Sequence, residues 1–197
     1  MAPHVAGLRM RGIDARAVDL PKGRAERAID VFAQLLAADP AEPEGARLVA
    51  VGGQSFGGRV ASLAAADACD AGQPPLALVL LSYPLHPPGR PDDWDARTAH
   101  WPRLTCPVIA FSGTSDPFAT PTLLTRALAE RLPGAQLVPY PHLGHTLVPV
   151  LEDVLDRVAA FVLTAGAASD EPQDEEVGAA ARYEDTMTLG RRSRSRE

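Results

Sequence analysis

The chain has 197 residues and a mass of 20.8 kDa, a length typical of one domain of about 100–200 residues. Apolar residues make up 46% of the chain and aromatic residues only 5%, so we expect a core built mostly of alanine, leucine and valine. The net charge of −6 argues against a nucleic-acid-binding surface, because such a surface needs clustered positive charge.

Membrane and secreted classes of protein are also disfavoured. No apolar run approaches the ~20 residues that a membrane-spanning helix needs, and the first residues do not resemble a signal peptide. Two cysteines, Cys69 and Cys106, provide neither a disulfide framework nor the spacing of a zinc site. We therefore expect a soluble cytoplasmic protein that binds neither nucleic acid nor membranes.

Short apolar segments alternate with turn residues through most of the chain. Their composition and periodicity predict strands at Ile13–Leu20, Leu48–Val51, Leu76–Leu81, Val108–Phe111 and Ala135–Pro139. Helical spacing predicts helices at Arg24–Ala38, Val60–Cys69, Thr122–Leu132 and Val150–Leu163. Strands that alternate with helices imply a mostly parallel sheet with helices on both faces, so the predicted fold class is α/β.

The composition changes near Gly166. We predict a domain over residues 1–165 and a disordered charged tail over residues 166–197, which has an acidic run and ends in arginines. Few bulky apolar residues occur in this tail, so burial cannot offset the entropic cost of ordering it. A second interpretation, in which the tail is an interaction arm, stays open.

Residues Gly53–Gly57 have the sequence Gly-Gln-Ser-Phe-Gly, a G-x-S-x-G motif between a predicted strand and a predicted helix. A nucleophile elbow has this context, because a tight strand-to-helix turn exposes its serine above the sheet. A phosphate-binding loop is the competing interpretation, and Gly58-Arg59 argues against it by occupying the place of the required Lys-Ser or Lys-Thr. Ser55 is therefore the candidate nucleophile.

A serine nucleophile needs a base and a residue that orients the base, in the chain order Ser, Asp, His. Asp116 follows one predicted strand, and His145 follows the next. Both lie at the C-terminal ends of strands, where open α/β sheets place their sites. His145 would accept the Ser55 proton, and Asp116 would hold the imidazole in the correct tautomer.

Three other histidines are candidates for a role near the site. His142 is the alternative base, because it lies nearer the end of its strand. A metal pair of His142 and His145 has no third ligand at suitable spacing, so we expect neither a metal nor a cofactor. His86 and His100 flank a proline-rich segment and are candidates for the wall of a pocket.

Three stretches carry a resemblance to a known family, namely Gly53–Ser62, Tyr83–Arg90 and Gly113–Phe118. They resemble a branch of the α/β-hydrolase superfamily that joins dienelactone-hydrolase-like bacterial proteins with eukaryotic testis-expressed and NSL-complex-subunit relatives. The resemblance covers about Ile13 to Leu163 and implies Ser55, Asp116 and His145 as the triad positions. Some of the eukaryotic relatives act as complex subunits without an established hydrolase role.

The chain departs from this family before Ile13. In the complete fold, an earlier strand and a glycine-rich loop supply the second oxyanion-hole donor, and the first donor is the backbone N–H after the nucleophile, here that of Phe56. Only twelve residues precede Ile13, so we expect the sheet to lack that strand, whose place is between Ile13–Leu20 and Leu48–Val51. Either the sequence is a truncated gene model, or these two flanking strands pair directly.

We expect a serine hydrolase that acts on a small carboxylic ester or thioester. The alternative is a non-catalytic interaction protein with an α/β-hydrolase fold, which includes a truncated, inactive gene product. The segment Ser82–Cys106 lies where larger hydrolases carry a lid, and it is either a packed crossover loop or one wall of a small acyl pocket. The sequence indicates neither the identity of the substrate nor the oligomeric state.

Overall fold

The computed structural model describes residues 1–21, 23–36 and 49–170. Its centre is a parallel sheet of four strands in the order β1-β2-β3-β4, formed by Ala50–Gln54, Ala77–Leu81, Val108–Gly113 and Gln136–Tyr140. The α-helices of the described residues are α1 to α6, at Ala2–Met10, Ile29–Leu36, Phe56–Asp70, Trp94–Thr98, Pro121–Arg131 and Leu151–Asp170. The predicted α/β fold is confirmed.

The two central strands divide their side chains between two cores. Every residue of β2 and β3 is buried, as the continuous apolar runs predicted. Leu78 and Leu80 point into a core shared with α3 and α5, whereas Val79 and Leu81 point into a second core under α6. Helices therefore cover both faces of the sheet, and the carboxyl ends of its strands meet at one edge.

The predicted strand Ile13–Leu20 is wrong. Residues 13–20 keep part of a strand's alternating burial, and Val18 and Leu20 pack against the main core. However, none of the described backbone hydrogen bonds joins them to β1, which is an edge of the sheet. A strand needs a backbone partner as well as alternating side chains. The alternative in which Ile13–Leu20 pairs directly with the strand predicted at Leu48–Val51 is therefore wrong as well.

Other boundaries shift by a few residues. The predicted helix Arg24–Ala38 is a 3-10 turn at Ala25–Arg27 followed by α2. The strand predicted from Leu48 is β1, which runs to Gln54, and residues 37–48 lie outside the described residues. Helix α3 begins four residues before the predicted start at Val60 because the glycine-rich turn already has helical geometry.

The last helix extends past its predicted end. Helix α6 continues through Leu163 to Asp170, so the boundary predicted after residue 165 falls within a helix. The rest of the predicted tail, residues 171–197, lies outside the described residues. No helix in the described part of the chain combines the length and the apolar character that crossing a membrane requires.

Candidate active site

Ser55 is the single residue between β1 and α3. Its backbone has φ 51° and ψ −115°, a conformation that residues other than glycine rarely adopt. Two backbone hydrogen bonds hold it there, because Ser55 N donates to Leu81 O at 2.8 Å and Arg59 N donates to Ser55 O at 3.1 Å. This strained turn has the geometry of a nucleophile elbow.

Glycines make the turn possible by letting the start of α3 press against the end of β1. A Cβ atom on Gly53 would lie 2.5 Å from the backbone carbon of Gly57. A Cβ atom on Gly58 would lie 2.7 Å from the backbone oxygen of Gly53. No side chain fits at either contact, so Gly53 of the motif and Gly58 directly after it have a steric reason independent of chemistry.

Ser55, His145 and Asp116 form a continuous chain of hydrogen bonds. His145 Nδ1 lies 2.8 Å from Asp116 Oδ2, and His145 Nε2 lies 2.8 Å from Ser55 Oγ. A carboxylate only accepts hydrogen bonds, so Nδ1 carries the imidazole proton and donates a hydrogen bond to Asp116. The lone pair of Nε2 therefore faces the hydroxyl of Ser55, which donates to it.

The side chain of Asp116 is fixed from a second direction. It has no solvent exposure, and its Oδ1 accepts a hydrogen bond from the backbone N–H of Phe118 at 2.9 Å. The Phe118 ring in turn lies 4.6 Å from the His145 ring, centroid to centroid, at an angle of 58°. The carboxylate and the imidazole are therefore held in one arrangement, while 27% of the His145 side chain stays exposed.

His142, the alternative base, lies elsewhere. Its side chain is exposed, and its backbone has φ 63°. Its backbone N–H donates to Thr114 Oγ1 at 3.0 Å, a contact that helps to join the two loops after β3 and β4. The structure thus brings His145, and not His142, to Ser55.

Ser55 opens into a cavity of about 400 Å³. Its described lining residues come from four parts of the chain, and they are Gly23, Arg24, Ala25, Ser55, Phe56, Arg59, Pro84, His86, Pro87, Pro88, Arg97 and Phe118. A cavity of this size suits a small substrate or part of a larger one.

The two histidines proposed for the pocket wall, His86 and His100, lie in different environments. His86 lines the cavity, and its Nδ1 donates to Pro87 O at 2.8 Å, whereas its buried Nε2 has no hydrogen-bond partner among the described residues. His100 is not among the described lining residues; it is buried, and its Nε2 lies 2.8 Å from Ser62 Oγ. Burial lowers the pKa of His100 to about 4, and the neighbouring charge of Arg59 adds to this effect.

Different residues of the segment Ser82–Cys106 line the cavity and pack into the core. Pro84, Pro87 and Pro88 line the cavity as one wall of a pocket. Trp101 is fully buried and meets the ring of Tyr83 edge-on at 5.1 Å, so this part of the segment is packed into the core.

Three arginines of the cavity wall were not predicted as site residues, namely Arg24, Arg59 and Arg97. The place of one of them near the site could have been predicted from the sequence. Arg59 follows Ser55 by four residues at the start of a helix, and residues four apart share a helix face. Arg97 has no such signal, because it lies 42 residues after Ser55 and reaches the cavity only through tertiary folding.

Comparisons with known proteins address the family and the fold. Residues 13–162 match the model of a family described as an alpha/beta hydrolase domain. No match is found among curated proteins. The monoacylglycerol lipase of Paleococcus ferrophilus is a similar solved structure, with a TM-score of 0.66 and 12% identity over 83% of this chain and 88% of its own.

Two further structures are similar in the same way. An alpha-beta serine hydrolase homologue from Coxiella burnetii has a TM-score of 0.56 and 14% identity, over 80% of this chain and 75% of its own. An uncharacterized protein from Bacillus cereus has a TM-score of 0.59 and 13% identity over 81% of this chain, which spans only 53% of that protein. At these identities the likeness concerns the fold alone.

Proposed function

The chain belongs to the alpha/beta hydrolase domain family, and from this membership we propose that it is a serine hydrolase for a small carboxylic ester or thioester. Ser55 is the nucleophile, His145 the general base and Asp116 the residue that orients His145. The observation that carries the proposal is the pair of 2.8 Å contacts that join Ser55 Oγ to His145 and His145 to Asp116.

The first step forms an acyl-enzyme. Ser55 Oγ attacks the carbonyl carbon of the ester while its proton passes to His145 Nε2. The imidazolium then gives this proton to the departing alcohol or thiol, and the bond between the acyl carbon and the leaving group breaks. Asp116 stabilises the imidazolium, because its buried carboxylate already accepts the Nδ1–H.

The second step releases the acid. Water loses a proton to His145 Nε2 and attacks the acyl carbon, and Ser55 Oγ leaves with the proton returned by His145. The backbone N–H of Phe56 is the proposed donor to the negative oxygen that develops in both steps. Phe56 is the first residue of α3 and lines the cavity, so its N–H belongs to the end of the helix where backbone donors are unsatisfied.

A small substrate is supported by the cavity of about 400 Å³ and by the three prolines in its wall, which limit how far the wall can yield. Membership of the dienelactone-hydrolase-like branch is a further proposal, and it is supported by the stretch Tyr83–Arg90, part of which forms that wall.

Hydrolysis of 4-nitrophenyl butyrate and of a butyryl thioester tests this function. Ser55→Ala is expected to lower kcat by about 10⁶-fold, as removal of such a nucleophile does. Ser169→Ala is the matched control, because Ser169 lies on α6 and its Oγ donates to the backbone oxygen of Ala165 in the same helix. The non-catalytic alternative would be favoured if the wild type hydrolyses neither compound. It would also be favoured if a Ser55→Ala variant is as active as the wild type.

A further inference from the structure

Phe118 contacts three parts of the site through three different groups. Its backbone N–H donates to Asp116 Oδ1 at 2.9 Å, and its backbone oxygen accepts a hydrogen bond from His86 N at 3.3 Å. Its ring lies 4.6 Å from the His145 ring, centroid to centroid. One residue therefore connects the carboxylate, the base and the proline-rich wall of the cavity, to which His86 belongs.

The backbone of Phe118 is held by a local turn. Ala119 N donates to Asp116 O at 3.3 Å, and Pro117 is the second residue of this turn, a position that proline favours. The bond from Phe118 N to the Asp116 side chain has the two-residue spacing of an Asx turn. These contacts do not involve the Phe118 side chain, so a substitution there can remove the ring and leave them in place.

The ring supplies a contact that hydrogen bonds alone do not give His145. Hydrogen bonds at Nδ1 and Nε2 fix two points of the imidazole, which can still rock about the line between them. Rocking swings the N–H bond and the lone pair away from their partners and weakens both bonds. The Phe118 ring packs against the imidazole at an angle of 58°, within the range of favourable aromatic pairs, and opposes this motion.

We propose that Phe118 is a positioning residue for His145, whose imidazole its ring holds in the orientation that directs Nε2 at Ser55 Oγ and Nδ1–H at Asp116. This proposal rests on the proposed serine hydrolase function. A base acts only on a proton within its reach, and a small misplacement of a reacting group costs up to about 100-fold in rate. Phe118 also lines the cavity, so the substrate and the base meet the same ring.

Variants of the ring test the proposal. Phe118→Leu keeps an apolar side chain without the ring, whereas Phe118→Tyr keeps the ring. With 4-nitrophenyl butyrate we expect Phe118→Leu to lower kcat by about 10-fold to 100-fold and to change KM by less than about 3-fold, whereas Phe118→Tyr stays within about 3-fold of the wild-type kcat. Phe161→Leu is the matched control, because Phe161 is also half-buried but lies on α6 and packs against the second core.

Two further measurements separate positioning of the base from the shape of the cavity. A loss of kcat through His145 is expected to be equal for 4-nitrophenyl acetate and 4-nitrophenyl butyrate, which differ in the length of the acyl chain. The rate at which a small fluorophosphonate labels Ser55 should fall by a similar factor, because this reaction also needs the base. An effect confined to KM or to one ester would make Phe118 only a part of the cavity wall and would overturn the proposal. So would wild-type kcat in Phe118→Leu, or a Phe118→Tyr variant that loses as much activity as Phe118→Leu.

Proton NMR makes the test independent of turnover. The Nδ1–H proton of His145, donated to the buried carboxylate of Asp116, gives a far-downfield signal while it is protected from exchange with water. We expect this signal in the wild type, Phe118→Tyr and Phe161→Leu, and its broadening or loss in Phe118→Leu. If the wild type neither hydrolyses the esters nor is labelled, the hydrolase function fails, and this pattern of signals still supports the positioning of His145. A signal of wild-type intensity in Phe118→Leu would contradict it.

Discussion

Gly113, the last residue of β3, lies against Leu143 so closely that a Cβ atom on the glycine would stand 2.2 Å from the Leu143 backbone oxygen. This contact brings together the loop that carries Asp116 and the loop that carries His145. Ser115 N donates to the same oxygen at 2.8 Å, and Thr114 N donates to Tyr140 O at 2.9 Å. The distance between Asp116 and His145 therefore depends on a glycine that takes no part in the chemistry.

Gly113→Ala is expected to destabilise the domain. A methyl group there would have to displace backbone atoms, and overpacking of this kind typically costs about 1–3 kcal/mol. Thermal unfolding should show a Tm lower by about 3–10 °C, given ~2–4 °C for each kcal/mol in a domain of this size. Gly144→Ala is the matched control because a Cβ atom there would lie 4.0 Å from its nearest described neighbour outside the adjacent residues, Ser115 O. Equal Tm values for the two variants would show that the two loops move apart without a loss of stability.

Asp116→Asn is expected to lower kcat by about 10⁴-fold with the fold retained. The amide oxygen of the asparagine can keep the hydrogen bond from Phe118 N, which places its NH₂ group against His145 Nδ1. Nδ1 must then accept a hydrogen bond, so the proton moves to Nε2 and the base toward Ser55 is lost. Steady-state kinetics measures the effect, and an Asp116→Asn variant within 10-fold of the wild type would contradict this role.

His145→Gln and His142→Gln form the comparison that assigns the base. His145→Gln should lose about as much activity as Ser55→Ala, because residues of a triad act as a unit. His142→Gln should keep most of the activity, since its exposed side chain has no part in the contacts of Ser55. The reverse ranking of the two folded variants would assign the base to His142.

His100 gives the stability of the fold a pH dependence. Burial lowers its pKa to about 4 in the folded state, from an ordinary value near 6.5. Between these values the unfolded chain takes up a proton that the folded chain does not, so stability is lost as pH falls from about 6.5 toward 4. We expect about 2 kcal/mol less unfolding free energy at pH 5 than at pH 7.

Denaturant unfolding at the two pH values measures this loss. His100→Gln removes the titrating group and can keep a hydrogen bond to Ser62 Oγ, so its unfolding free energy should change much less over the same interval. A variant with the full wild-type pH dependence would assign the loss of stability to other groups.

Local sequence patterns predicted the sheet best where the strands are buried on both faces. Val108–Phe111 was predicted as a strand from its continuous apolar run, and β3 extends this range by two residues to Gly113. Residues 13–20 show the limit of such patterns, because their alternation records which side chains pack against the core and not whether a neighbouring strand is present. Strand pairing depends on two segments, so the sequence pattern of one segment cannot predict it.

The same limit applies to the site. The spacing around Ser55 and the positions of Asp116 and His145 after strands were enough to predict which three side chains meet. The place of Arg97 in the cavity wall could not be predicted in this way, since its segment has no motif. Cys69 and Cys106 are a further case, because they lie far apart in sequence but close together in the fold. Burial raises the pKa of Cys106 to about 12, and the neighbouring Cys69 adds to this effect.

The most direct test of the central claim, that Ser55 is an activated nucleophile, is covalent labelling with a fluorophosphonate followed by peptide mass spectrometry. The reagent loses fluoride as it forms a bond with an activated serine oxygen, so the adduct marks the nucleophile whatever the natural substrate is. We predict one adduct on Ser55 in the wild type, none in Ser55→Ala, and a rate of labelling at least 100-fold lower in His145→Gln. An unlabelled wild-type protein, or an adduct on a serine other than Ser55, would contradict the account.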